Sequence, residues 1–122
     1  MMSYFNIFGL QNIYLEDSFV LAINESSEEI IFLMEFVLTK EHPEYSIPSE
    51  GEQYCYRKGK LSFKCCKKIK WSEKSLNQFF DKNKEVDLGN IDSFSVDEDV
   101  NFLEGDWGEV EIISDYVTIE LE

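Results

Sequence analysis

KLSFKCCKKIKW, residues 60–71, alternates apolar and basic side chains, and the fold depends on how that alternation is read. In an extended chain Leu61, Phe63, Cys65, Ile69 and Trp71 fall on one side. Lys60, Ser62, Lys64, Cys66, Lys68 and Lys70 fall on the other, and only Lys67 breaks the order. A period of two with one slip is the pattern of a half-buried strand, apolar inside and lysine outside, with an expected bulge near Lys67.

The same period extends outward from this stretch. In SFVLAIN, Phe19, Leu21 and Ile23 share a face, and NESSEE supplies turn residues. IIFLMEFVLT places Ile30, Phe32, Met34, Phe36 and Leu38 on one face and Ile31, Leu33 and Val37 on the other, with Glu35 the exception. A strand apolar on both faces belongs in the middle of a sheet. A ten-residue buried helix is the rival reading, because periodicity alone does not separate the two. PEYSIP reads as a loop, and QYCYRKGKLSF as a hairpin turning at Lys58-Gly59.

SEKSLNQFFDKNKE fits either one helical turn or a ragged strand, and GNIDSFSV resumes an extended pattern. VNFLEGDWGEVEI is a second hairpin. A two-residue loop places Phe102 opposite Glu109, whereas a three-residue loop from Gly105 to Trp107 pairs Phe102 with Val110 and Val100 with Ile112. Matching apolar faces favours the three-residue loop. SDY makes a further turn, and VTIELE sends Val117, Ile119 and Leu121 inward. The expected fold is all-β: one domain spanning 1–122, an antiparallel β-sandwich or barrel of about seven to nine strands with at most one short helix.

Composition supports a packed core. The chain is 43% hydrophobic and carries ten Phe, six Tyr and two Trp. A net charge of −14 therefore does not imply disorder, which needs low hydrophobicity as well. Cys55, Cys65 and Cys66 are an odd number, the start lacks a basic leader, and the longest apolar run is IIFLM. A reducing cytoplasm is the expected compartment, with no membrane span.

The charge distribution bounds the partners. Eight of the eleven bases lie between Arg57 and Lys74, with only Glu73 among them, while thirteen acids and no bases follow from Glu85 to the end. The simple reading pairs the lysine face with neighbouring glutamate strands, or uses it to guard a sheet edge. A nucleic-acid strip would need aromatics among the lysines, and Phe63 and Trp71 fall on the opposite side. A chain this acidic repels polyanions and attracts basic proteins.

Motifs for chemistry are absent. His42, Cys55, Cys65 and Cys66 match no zinc spacing, and adjacent cysteines in a strand point to opposite faces. Nucleophilic catalysis by a cysteine would have to use His42, which precedes Pro43 in a loop and reads as simply exposed, and no GxSxG, P-loop or GxGxxG occurs. No cofactor or metal is expected, and the function is read as non-enzymatic binding. An aromatic cavity for a small molecule, inside a barrel or sandwich, is the alternative.

YLEDSFVL, HPEYSIPSEGEQYCYRKGKLSF, GNIDSF and LEGDWGEVEI together resemble a group of small, uncharacterised bacterial proteins, similar to the immunity proteins of polymorphic toxin systems. The resemblance implies a stoichiometric protein partner and no substrate. On this reading Asp97, Glu98, Asp99, Asp106, Glu109 and Glu111 steer a basic protein such as a toxin domain, and Trp107 at the hairpin tip anchors it. The competing role for Trp107 is that of a core residue folded back over the sheet.

Overall fold

The computed structural model describes residues 2–7, 9–75, 79–80 and 86–122. Its strands are β1 (Met2–Ser3), β2 (Phe19–Glu25), β3 (Ile30–Leu38), β4 (Cys55–Lys64), β5 (Lys68–Lys74), β6 (Phe79–Phe80), β7 (Val86–Asp87), β8 (Ile91–Asp97), β9 (Val100–Gly105), β10 (Gly108–Ile113) and β11 (Tyr116–Leu121). Among the described residues helical structure is confined to 3-10 turns at Tyr4–Asn6 and Leu15–Asp17. Sheet A runs β1-β8-β9-β10-β5 and sheet B runs β11-β4-β3-β2, with every pairing antiparallel. The fold is an all-β sandwich. No helix among the described residues is long and apolar enough to cross a membrane.

The core forms where the two sheets face each other. β3 lies inside sheet B, and Ile30, Phe32, Met34, Phe36 and Leu38 are buried along its inner face as their spacing requires. Phe32 meets Trp107 at a ring-centroid distance of 5.3 Å and Phe63 meets Phe94 at 5.7 Å, both contacts spanning the two sheets. At one side the sheets share a bent two-stranded ribbon. β4 runs into β5 through residues 65–67 while β10 runs into β11 through residues 114–115, so Lys64 pairs with Tyr116 and Lys68 with Ile113. At the other side the edge strand β2 bonds the segment before β8, through Val20 N to Gly89 O at 2.8 Å and Leu88 N to Val20 O at 2.7 Å.

The ribbon's bend accounts for the slip in the opening stretch. Cys65 takes a left-handed backbone (φ 52°) and is exposed, and Cys66 turns inward. This reverses the expected sides of the two cysteines. The Ser114 hydroxyl donates to Lys64 O at 2.6 Å, and Lys67 N donates to Ile113 O at 2.8 Å, which fastens the corner.

Three other expectations are corrected. Lys58-Gly59 is not a turn, because β4 is continuous through it and Gly59 faces both Met34 and Leu121. In β2 a register shift between Val20 and Ala22 puts Val20 in the core, so Phe19, Leu21 and Ile23 do not form one regular face. The β9–β10 hairpin has a two-residue loop, Asp106-Trp107, closed by Gly105 opposite Gly108. That register sets Phe102 against Glu111 and Asn101 against Ile112. In SEKSLNQFFDKNKE, residues 72–74 belong to β5 and 79–80 to β6, and the helical-turn expectation otherwise falls outside the described residues.

Tyr4 ties the N-terminal segment to the core. Its hydroxyl donates to the Glu16 carboxylate and accepts from Leu15 N at 3.2 Å. Burial, and then the bond to Glu16, push this phenol far above the ordinary tyrosine value of 10.0. Burial likewise raises the Cys66 thiol above 9.0. A folded state that holds a proton more tightly than the unfolded chain loses stability as pH rises. The contribution is complete below the unfolded values and declines once pH passes about 9–10. Denaturant melts at successive pH values should therefore stay level up to about pH 9. Above pH 10 they should fall with a limiting slope near 1.4 kcal/mol per pH unit for each such group. Tyr4→Phe should flatten that fall, and an unchanged slope would contradict the assignment.

Candidate functional site

Six of the eight bases between Arg57 and Lys74 meet an acid within the molecule, across a strand pair or in an ion pair. Lys60 stands opposite Glu120, Lys58 opposite Glu35 and Lys70 opposite Glu111 on neighbouring strands. Ion pairs join Lys67 to Asp99 at 3.4 Å, Lys74 to Glu25 at 3.8 Å and Arg57 to Glu44 at 3.7 Å. Lys74 also lies over the Trp71 ring at 4.9 Å, and β5, which carries Lys68, Lys70 and Lys74, is the edge of sheet A. Exposed pairs of this kind contribute little each, about 0.2–1 kcal/mol, but they specify which strands lie together and blunt the open edge.

The outer face of sheet A is organised in rows set by register. One row reads Ser95, Phe102, Glu111, Lys70 across β8, β9, β10 and β5. The next reads Ser93, Glu104, Glu109, Glu73. In this second row three glutamates stand side by side on adjacent strands, and among the described residues none has an ion-pair partner. Like charges in directly opposite positions destabilise a sheet. Asp92 lies near the same row: desolvation, followed by Asp106 and Glu104, raises its carboxyl above the ordinary value. A shallow cavity of ≈ 190 Å³ opens here, lined by Ser72, Ser93, Phe102, Glu104, Glu109 and Glu111.

Phe102 owes its outward position to Asn101. The Asn101 side chain is 1% exposed and donates to Ile112 O at 3.1 Å and Ser114 O at 3.0 Å. A buried amide with both carbonyls satisfied is tolerated in the core. It takes the inward place in β9 that matched apolar faces would have given to Phe102, leaving the phenylalanine half-buried among carboxylates.

No protein-family model, curated protein or solved structure matches this chain.

The residues singled out from sequence do not form one cluster. Asp97, Glu98 and Asp99 lie at the β8–β9 turn, with Glu98 in the left-handed region (φ 55°) and Asp99 held by Lys67. Asp106 is at the far end of β9, on the order of 20 Å away along the strand. Glu109 and Glu111 flank Phe102 on the outer face. Trp107 is wholly buried between Phe32 and Trp71, and its indole N–H donates to Asn90 O at 3.0 Å. It is the core residue folded back over the sheet, not a surface anchor. Sequence reasoning missed Phe102, Glu104, Glu73 and Asp92 as members of one surface. The signal that finds them is the two-residue loop in GDWG, which fixes the rows once Gly105 is set against Gly108. Among the described residues no group of three His, Cys, Asp or Glu side chains converges as a metal site would.

Proposed function

We propose that this chain works by binding a basic protein, without catalysis, and that the outer face of sheet A receives it. The observation that carries this reading is the row of Glu104, Glu109 and Glu73 beside an outward Phe102. Placing like charges opposite one another costs folding energy, and a cationic partner laid across the row returns it. Phe102 adds an apolar contact and a ring face for arginine or lysine. The surplus of acid elsewhere steers the partner and raises its rate of encounter. A toxin domain silenced by occupation of its basic surface fits this chemistry, as does any basic protein held stoichiometrically.

Neutralising the row separates binding from folding. The variant E73Q/E104Q/E109Q should be more stable than the native chain by about 0.5–2 kcal/mol at low salt, with the gain shrinking as salt rises. In pull-downs followed by identification, the native chain should enrich basic proteins that the variant does not. Equal recovery of the same partners by both chains, or a less stable variant, sinks the reading.

A further inference from the structure

We propose that a second cavity, at the end of sheet B where β3 finishes and β4 begins, and walled by Tyr14, Tyr45 and Tyr54, binds the head group of a small quaternary ammonium compound. The cavity measures ≈ 220 Å³, and Pro48, Lys40 and Gln53 also line it. It is smaller than the roughly 300–1,000 Å³ of pockets that take drug-sized ligands, so a head group is the scale it suits.

The walls are built from separate parts of the chain, each fixed by its own contacts. Tyr14 N donates to Val37 O at 3.0 Å, which fastens that residue to β3. Tyr54 precedes β4 and packs edge-on against Tyr56 at 6.1 Å, and Tyr56 in turn packs against Phe19 at 5.9 Å. Tyr45 N donates to His42 O at 3.0 Å, and its side chain rests against the core. Three tyrosines converging on one concave site are the usual means of holding an organic cation by its attraction to ring π-faces.

The surrounding charge has the matching sign. The Asp17 carboxylate raises the Tyr54 hydroxyl above its ordinary value, and burial, then Glu35, Asp17 and Glu52, raise that of Tyr56. Lys40 is the charged residue on the wall itself, and the carboxylates act from beside Tyr54 and Tyr56. A primary ammonium is strongly hydrated and loses that hydration against apolar walls, whereas a trimethylammonium group carries the same charge under a methyl coat.

The test is an NMR titration of the whole chain with choline chloride and with 3,3-dimethyl-1-butanol, its uncharged isostere. Choline should give saturable shifts at the amides of Tyr14, Tyr45 and Tyr54, and the alcohol should bind at least about tenfold more weakly. Asp17→Asn should weaken choline and leave the alcohol unchanged, which holds even if a tyrosine variant folds poorly. Tyr54→Leu, which keeps an apolar wall, should lower choline affinity by about tenfold or more. Equal binding of the two probes, or no saturable shift with choline, overturns the proposal. A trimethyl-lysine peptide binding at least about tenfold more tightly than choline would place the head group on a protein and overturn the small-compound source.

Discussion

Trp107→Ala should lower the free energy of unfolding by about 3–5 kcal/mol, the range for deleting a buried tryptophan side chain. The ring is 0% exposed and bridges the two sheets through Phe32, while Trp71 meets it edge-on at 5.9 Å. Gly105 makes room for it: a Cβ there would come within 2.5 Å of the indole nitrogen. Neighbours fixed in strands on both sides cannot collapse into the space left behind, so the cavity term adds to the lost burial. Domains of this size unfold at a cost of about 5–15 kcal/mol, so one substitution removes a large fraction of the total. Trp107→Phe separates the contributions. It keeps most of the ring burial and deprives Asn90 O of its donor, at a cost of about 1–3 kcal/mol. Urea melts of the three chains check this, and a loss below about 1 kcal/mol for the alanine variant would contradict the burial of the indole.

Where side-chain period and burial coincide, the fold could be read from the chain. IIFLMEFVLT was legible because β3 is an interior strand of sheet B whose inner row, from Ile30 to Leu38, is wholly apolar and buried. VTIELE was legible because Val117, Ile119 and Leu121 lean on the core at a period of two. The bend near Lys67 was legible as a slip in alternation. Its geometry was not, because a left-handed residue at Cys65 is a consequence of two sheets sharing one ribbon. The candidate surface was hidden for a related reason. Asn101 inside and Phe102 outside invert the ordinary preference, and a rule that matches apolar faces is then led to the wrong loop length. The local rule is broken here and compensated by the two carbonyl bonds that Asn101 makes. The acids at residues 97–99 were visible as a run, but the commitment of Asp99 to Lys67 depends on a contact between distant parts of the chain.

Gly59→Ala provides the sharpest test of how β4 is placed. If Lys58-Gly59 were an exposed turn without special geometry, or if β4 had room on both sides, alanine would be neutral or would stabilise by about 0.4–1 kcal/mol through the unfolded chain. In the sandwich the opposite is expected. Gly59 lies between β3 and β11, where an added Cβ would overlap the Glu120 carbonyl oxygen and stand 3.1 Å from the Phe36 ring. Neither neighbour yields easily. Phe36 is 0% exposed, packed in the inner row of β3. The end of β11 is clamped by Glu122 N to Lys58 O at 2.9 Å and by the Arg57 side chain to Glu122 O at 2.6 Å. Relief requires β11 to lift away from β4, which breaks those bonds and uncovers Ile119 and Leu121. The expected loss is about 2–4 kcal/mol, at the upper end of overpacking costs because backbone, not a pliable side chain, must move. Hydrogen exchange should locate it, with protection falling at Leu121 and Glu122 before it falls along β3. A stabilised Gly59→Ala chain, with exchange unchanged at the end of β11, would mean that β4 and β11 do not lie as close as this packing requires.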